Sequence, residues 1–174
     1  DWDKLNEIAK KHNLLLIEDS AEALGSTYKG KQCGSFGEAG VYAFYPNKQM
    51  TTGEGGMVVT NSKEVYELCD SMRNQGRSKN GDWLIHERLG YNYRLDEMSA
   101  SLGISQLKKI DWMIEEKRKI SAWYNNALGD IDEVELNRLL FVQNGVKHRG
   151  CDKSEPDPEA PLQAQADRSG LVGI

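Results

Sequence analysis

The chain reads as an α/β protein, a sheet of short strands covered by helices, and three observations carry that reading. A stretch of helical periodicity over residues 1–13 runs straight into the unbroken apolar run Leu14-Leu15-Leu16-Ile17. Two further runs, Val41-Tyr42-Ala43-Phe44-Tyr45 and Met57-Val58-Val59-Thr60, have the β-branched and aromatic residues of strands. Helical spacing then returns after Asn61 and again from Asp96.

At 174 residues the chain is long enough for one domain with its own core. The 39% hydrophobic and 28% charged contents suit a soluble globular protein, and a net charge of −5 gives no electrostatic ground for nucleic acid or an anionic membrane. The expected partners are small molecules or other protein chains. No apolar run approaches the ~20 residues that span a bilayer, and the N-terminus lacks the apolar core of a signal peptide, so a cytoplasmic location is the default expectation. Cys33, Cys69 and Cys151 are odd in number and widely spaced, which predicts free thiols and no metal site.

In chain order, the first helix places Trp2, Leu5, Ile8 and Ala9 on one face. The strand after it shows no alternation, which predicts burial on both faces, as in a parallel sheet covered by helices. Ligands of such sheets sit beyond the carboxyl ends of the strands, where Asp19 falls. Ser26-Thr27-Tyr28 and Gln32-Cys33 around Lys29-Gly30-Lys31 predict a hairpin. The strand at Val41–Tyr45 must stop before Pro46, which has no N–H for a ladder, so Lys48 lies just past a strand end. Thr51 to Gly56 predicts a tight glycine-dependent turn into the strand Met57–Thr60. Asn61 with Glu64 resembles a capping box opening a helix that carries Val65, Leu68, Cys69 and Met72.

Residues 74–94 read as a long, exposed, irregular connection, a candidate for contact with substrate or a second subunit. From Asp96 onward Met98, Leu102, Leu107, Ile110, Met113, Ile114, Ile120, Trp123 and Leu128 predict two helical segments meeting near Ile110-Asp111 and ending around Gly129. After about Leu136 the periodicity is lost, and residues 150–174, rich in proline and polar residues, are expected to be disordered.

Standing alone, a lysine beside a turn is ordinarily a solvated surface charge. Its company changes the reading. A carboxylate at one strand end and an amine past another, on the ligand side of an α/β sheet, are the pair that pyridoxal phosphate requires. The lysine binds the cofactor as a Schiff base and later moves the substrate proton, while the carboxylate keeps the pyridine nitrogen protonated.

Four blocks, Ile17-Glu18-Asp19-Ser20-Ala21-Glu22-Ala23-Leu24-Gly25, Gly34-Ser35-Phe36-Gly37, Phe44-Tyr45-Pro46-Asn47-Lys48 with Thr51-Thr52-Gly53-Glu54-Gly55-Gly56, and Gly90-Tyr91-Asn92-Tyr93-Arg94, together resemble the DegT/DnrJ/EryC1/StrS aminotransferases. The resemblance covers residues 1–136 and implies part of the large domain of the aspartate-aminotransferase fold, type I of the pyridoxal phosphate enzymes, a three-layer α/β/α architecture. Residues 137–174 resemble nothing in the family. The implied activity is transfer of an amino group, from glutamate, to a keto carbon of a nucleotide-linked sugar in amino-sugar and polysaccharide biosynthesis, by a homodimer when the chain is complete.

By position the resemblance makes Lys48 the Schiff-base lysine and Asp19 the partner of the pyridine nitrogen. Glu22 falls where members have glutamine or histidine near the cofactor's phenolic oxygen, and Asn92 matches the residue that reaches the cofactor phosphate of the partner subunit. Ala43 stands where many members have a phosphate-binding serine. Sugar dehydratases of the same family carry histidine in place of the lysine, so Lys48 favours amino transfer. The family's catalytic chains are much longer than the matched stretch, and a truncated, non-catalytic or regulatory fragment is the rival of another class.

Overall fold

The computed structural model describes residues 1–78, 85–131 and 170–173. Helix α1 (Trp2–His12) is capped at its start by Asp1, whose carboxylate accepts from the Lys4 N–H at 3.2 Å. Lys10, Lys11 and His12 occupy its last turn, where positive charge complements the helix dipole. Of its apolar stripe only Ala9 is buried. Trp2 stacks on Phe36 with ring centroids 5.1 Å apart, while Leu5 and Ile8 are exposed.

Strand β1 (Ile17–Asp19) follows, then the hairpin β2 (Thr27–Tyr28) and β3 (Lys31–Gln32), and then β4 (Ala39–Ala43) and β5 (Gly56–Thr60). The hairpin turns through Lys29 at φ 51° and Gly30 at φ 77°, the paired left-handed conformations of a type I′ turn. It is fastened to α1 by the Tyr28 hydroxyl, which donates to Asp1 and Asp3 at 3.1 and 3.2 Å, and by the Lys29–Asp3 ion pair.

The main sheet has the order β1-β4-β5-β6. β1 and β4 run parallel, Ile17 opposite Ala39 and Asp19 opposite Val41, but β4 and β5 are antiparallel, with Ala43 opposite Gly56. The sheet is therefore mixed. The loop between β4 and β5 is a local turn, and a parallel pair needs a crossover that carries the chain back along the sheet. The expectation of a strand buried on both faces also fails at β1, where Ile17 is 73% exposed and Glu18 only 3%. β1 lies at the sheet edge, and among the described residues nothing covers Leu14, Leu15 or Ile17. Glu18 goes inside because its carboxylate is satisfied there, by the Ser20 hydroxyl at 2.8 Å and the Phe36 N–H at 3.0 Å.

Helix α2 (Lys63–Arg73) begins one residue later than the capping-box reading placed it. Ser62, not Asn61, is the cap, accepting from the Val65 N–H at 3.3 Å. The Ser62 N–H is itself held by the Thr60 hydroxyl at 3.0 Å, so the chain is still leaving β5 at Asn61. Beyond α2 the connection is more regular than its composition predicts. Asn74 and Asn92, and Arg77 and His86, form antiparallel bridges, giving a narrow ribbon; residues 79–84 lie outside the described residues. Gly76 and Gly90 allow the crossing, since a Cβ on Gly76 would lie 1.8 Å from the Arg88 carbonyl oxygen.

Asp96 caps α3 (Glu97–Leu107), accepting from the Ser99 N–H at 2.9 Å, and that bond holds its carboxyl below the usual range. α4 (Ile110–Leu128) follows after a short break, as the spacing predicts. Ile110 and Ile114 form the core with Phe44 and Met50, against which Leu24, Tyr42 and Met57 pack. Met98, Leu102, Leu107, Ile120 and Trp123 remain exposed, because α3 packs through Gly103, where a Cβ would come within 3.0 Å of Thr52, and α4 through its face over Phe44 and Met50. Finally Gly170–Gly173 forms β6, antiparallel to β5, within a stretch where the sequence predicts no element. The rest of 137–174 lies outside the described residues.

Candidate active site around Lys48

The chain leaves β4 through Phe44, whose side chain is in the core and whose backbone closes the loop that follows. Its N–H donates to the Gly55 carbonyl at 2.8 Å, and its carbonyl accepts from the Thr52 N–H at 2.9 Å and the Thr51 hydroxyl at 3.0 Å. Between the buried anchors Phe44 and Met50, the Lys48 N–H donates to the Tyr45 carbonyl at 3.0 Å and makes a tight turn. Lys48 is thus presented past the carboxyl end of β4 on a loop fixed at both ends.

The chain leaves the neighbouring strand β1 in the same direction. Asp19 is its last residue, the Ser20 N–H extends the parallel ladder to the Val41 carbonyl at 2.9 Å, and one Asp19 carboxylate oxygen accepts from the Ala21 N–H at 3.1 Å. The other oxygen has no partner among the described residues. Glu22 stands on this first loop and forms an ion pair with the Lys48 ammonium; the lysine side chain is 16% exposed and the glutamate 51%. The structure therefore joins Glu22 to Lys48 and puts Asp19 at the same end of the sheet.

Asn92 is elsewhere. It sits in the ribbon opposite Asn74, with its side chain exposed, and Arg94 beyond it donates to the Asn74 side-chain oxygen at 2.7 Å. Tyr93, Arg94, Leu95 and Asp96 line one side of an open cleft of about 450 Å³, and Glu54, Gly55 and Gly56 line the other. Two contacts at Lys48 go unread in the sequence. Gln49, 7% exposed, donates to the Glu22 carbonyl at 2.7 Å, and Lys117 of α4 donates to the Lys48 carbonyl at 3.1 Å. The available signal for Lys117 is a polar residue in line with Ile110 and Ile114 at helical spacing.

The half-buried Cys33 thiol and Tyr42 phenol are unsuited to nucleophilic work. Burial, reinforced by the Glu18 charge, pushes the Cys33 thiol up to about 11 and the Tyr42 phenol up to about 12. Cys33 and Cys69 are free thiols, and burial raises Cys69 as well.

The donor set at the sheet end fits pyridoxal phosphate. The Lys48 amine is shielded but not sealed off, and the Asp19 carboxylate keeps one oxygen open for a protonated ring nitrogen. Ala43, without a hydroxyl, offers the phosphate nothing from its side chain.

Comparison with known proteins agrees. Residues 1–147 match the DegT/DnrJ/EryC1/StrS aminotransferase family, past the boundary at 136 that the motifs suggest. GDP-perosamine synthase of Escherichia coli O157:H7 is 42% identical over 134 residues, covering 77% of this chain and 36% of that one. The structure of PseC from Helicobacter pylori, an aminotransferase involved in the biosynthesis of pseudoaminic acid, aligns with a TM-score of 0.71 at 36% identity, over 76% of this chain and 36% of that chain. An E. coli GDP-4-keto-6-deoxy-D-mannose-3-dehydratase with bound hydrated PLP aligns with a TM-score of 0.66 at 29% identity, over 75% of this chain and 38% of that chain. The fold is that of part of a type I pyridoxal phosphate enzyme. Within that class the chain belongs to the DegT/DnrJ/EryC1/StrS aminotransferase family. It spans little more than a third of the length of these relatives.

Proposed function

We infer that this chain supplies the cofactor-anchoring part of an enzyme that transfers an amino group, from glutamate, to a keto carbon of a nucleotide-linked sugar. The observation that carries the reading is the shielded Lys48 amine at the sheet end that also presents the Asp19 carboxylate. Pyridoxal phosphate, when bound, supplies the electron-withdrawing ring that lets an amino group pass from donor to acceptor. The residues do the rest. The Lys48 amine anchors the cofactor and, once released by substrate, moves a proton at the substrate carbon on its Nζ. Asp19 holds the proton on the ring nitrogen. Glu22 keeps the Lys48 ammonium directed toward the mouth of the site before the cofactor arrives. Asn92 serves the phosphate of a partner copy in a homodimer, which its place on an outward ribbon suits.

Among the described residues no helix is long and apolar enough to cross a membrane, and the acidic composition suits small-molecule work in the cytoplasm without nucleic acid. The dehydratase reading has a relative of similar fold in its favour and the lysine at position 48 against it. A non-catalytic role for the fragment requires no covalent chemistry at Lys48. Titration of the chain with pyridoxal phosphate separates cofactor chemistry at Lys48 from the non-catalytic reading: the proposed function predicts a visible band in the wild type that Lys48→Ala lacks. An identical spectrum in both would count against it, and no band in either would favour the non-catalytic reading.

A further inference from the structure

Lys48 is held from more directions than a flexible surface lysine needs. Its N–H is taken by Tyr45 within the turn, its ammonium by Glu22 on the first loop, and its carbonyl by the Lys117 ammonium at 3.1 Å on α4. Ile110, Ile114 and Lys117 follow one face of α4, and the two isoleucines are in the core with Phe44 and Met50, the residues that bracket the Lys48 turn. The same face meets the first loop too, since a Cβ on Gly25 would come within 2.3 Å of the Ile114 side chain. One helix face therefore sets the height of both loops. Lys117 lies where its stem can run over the core and its charged head can turn to the partly buried carbonyl.

We propose that Lys117 is a positioning residue for Lys48: its ammonium fixes the Lys48 carbonyl, and so the direction in which the Lys48 amine leaves the loop. A turn carbonyl pointing into a half-buried space would otherwise lack a partner, and a charged donor satisfies it more strongly than a neutral one. Gln49, through the Glu22 carbonyl, ties the same turn to the first loop, so the two loops move together. The consequence for cofactor capture rests on the function proposed above, but the positioning itself does not.

Two measurements test the proposal on the full chain. Without cofactor, hydrogen exchange should quicken about tenfold over the Lys48 turn in Lys117→Met, the factor that about 1.4 kcal/mol of lost hydrogen bonding represents, while α4 stays protected. Lys117→Arg, which keeps a charged donor, should restore the protection. Unchanged exchange in Lys117→Met would overturn the proposal. If Lys117→Met also loosens α4, Lys117→Arg decides: a protected turn supports the donor role and an unprotected one overturns it. With pyridoxal phosphate, the rate of borohydride-trapped labelling at Lys48 should fall in Lys117→Met and recover in Lys117→Arg. A wild type that takes no label would sink the proposed function, while the exchange result would still decide the role of Lys117.

Discussion

The loop that carries Lys48 and the ribbon that carries Asn92 are built on different plans. Around Lys48, side chains reach inward across elements: Glu22 and Lys117 to Lys48 itself, and Gln49 back to Glu22. The ribbon is held chiefly by backbone bonds to the end of α2 and to itself: Tyr91 N–H to the Met72 carbonyl at 2.7 Å, Tyr93 N–H to the Arg73 carbonyl at 2.9 Å, and Glu87 N–H to the Gly76 carbonyl at 2.8 Å. Its aromatic side chains are left exposed, Tyr91 and Tyr93 stacked on each other at 5.0 Å. An inward network fixes a reacting group within the chain. An outward-facing ribbon fixes a shape and leaves its side chains for another surface.

The largest expected effect breaks the ribbon alone. Gly76→Ala places a Cβ against the Arg88 carbonyl at a φ of +71°, and should cost about 3 kcal/mol in denaturant unfolding while leaving Lys48 labelling by pyridoxal phosphate unchanged. Glu18→Ala acts on the other side. It strands the buried Ser20 hydroxyl and the Phe36 N–H, should cost about 2 kcal/mol, and should also slow Lys48 labelling, because Ser20 begins the loop that carries Glu22. Ser62→Ala should cost about 1 kcal/mol and Asn61→Ala almost nothing, since only Ser62 caps α2; this change should move the ribbon's base and not the Lys48 turn.

Alkaline pH sharpens the same comparison without mutation. Cys33 and Tyr42 have folded values raised to about 11 and about 12, above the ordinary 9.0 and 10.0. Folding therefore favours their neutral forms. The stability they contribute is complete below about pH 9 and is lost as pH rises through about 11 and then about 12. Unfolding followed by circular dichroism should weaken over that window, and Cys33→Ser should remove its lower part.

Much of this was legible in the residues for identifiable reasons. Lys29-Gly30 permits a tight hairpin turn, Pro46 ends a strand, and the phase of the apolar residues slips at Ile110, so those features lie in local sequence. The direction of β5 does not, because a run such as Met57-Val58-Val59-Thr60 fits either sense of pairing, and only the length of the connection decides. Leu14 to Ile17 has the pattern of a doubly buried strand because an apolar run records what a strand is suited to meet, not which chain or segment meets it. Asn61 and Ser62 are both good caps, and the Thr60 side chain chose between them. At the site, Asp19 and Lys48 were visible as residues past strand ends. The contacts of the Lys48 turn with Glu22 and Lys117, and of Gln49 with Glu22, are not, because they join positions far apart in sequence.

The proposed function makes Lys48 the amine that anchors pyridoxal phosphate. The most direct test is to incubate the chain with the cofactor, reduce with borohydride and map the labelled peptides. Anchoring at this residue predicts a label concentrated on Lys48 and lost in Lys48→Ala. A label spread evenly over the exposed lysines, or one that stays at the same level in Lys48→Ala, would contradict it.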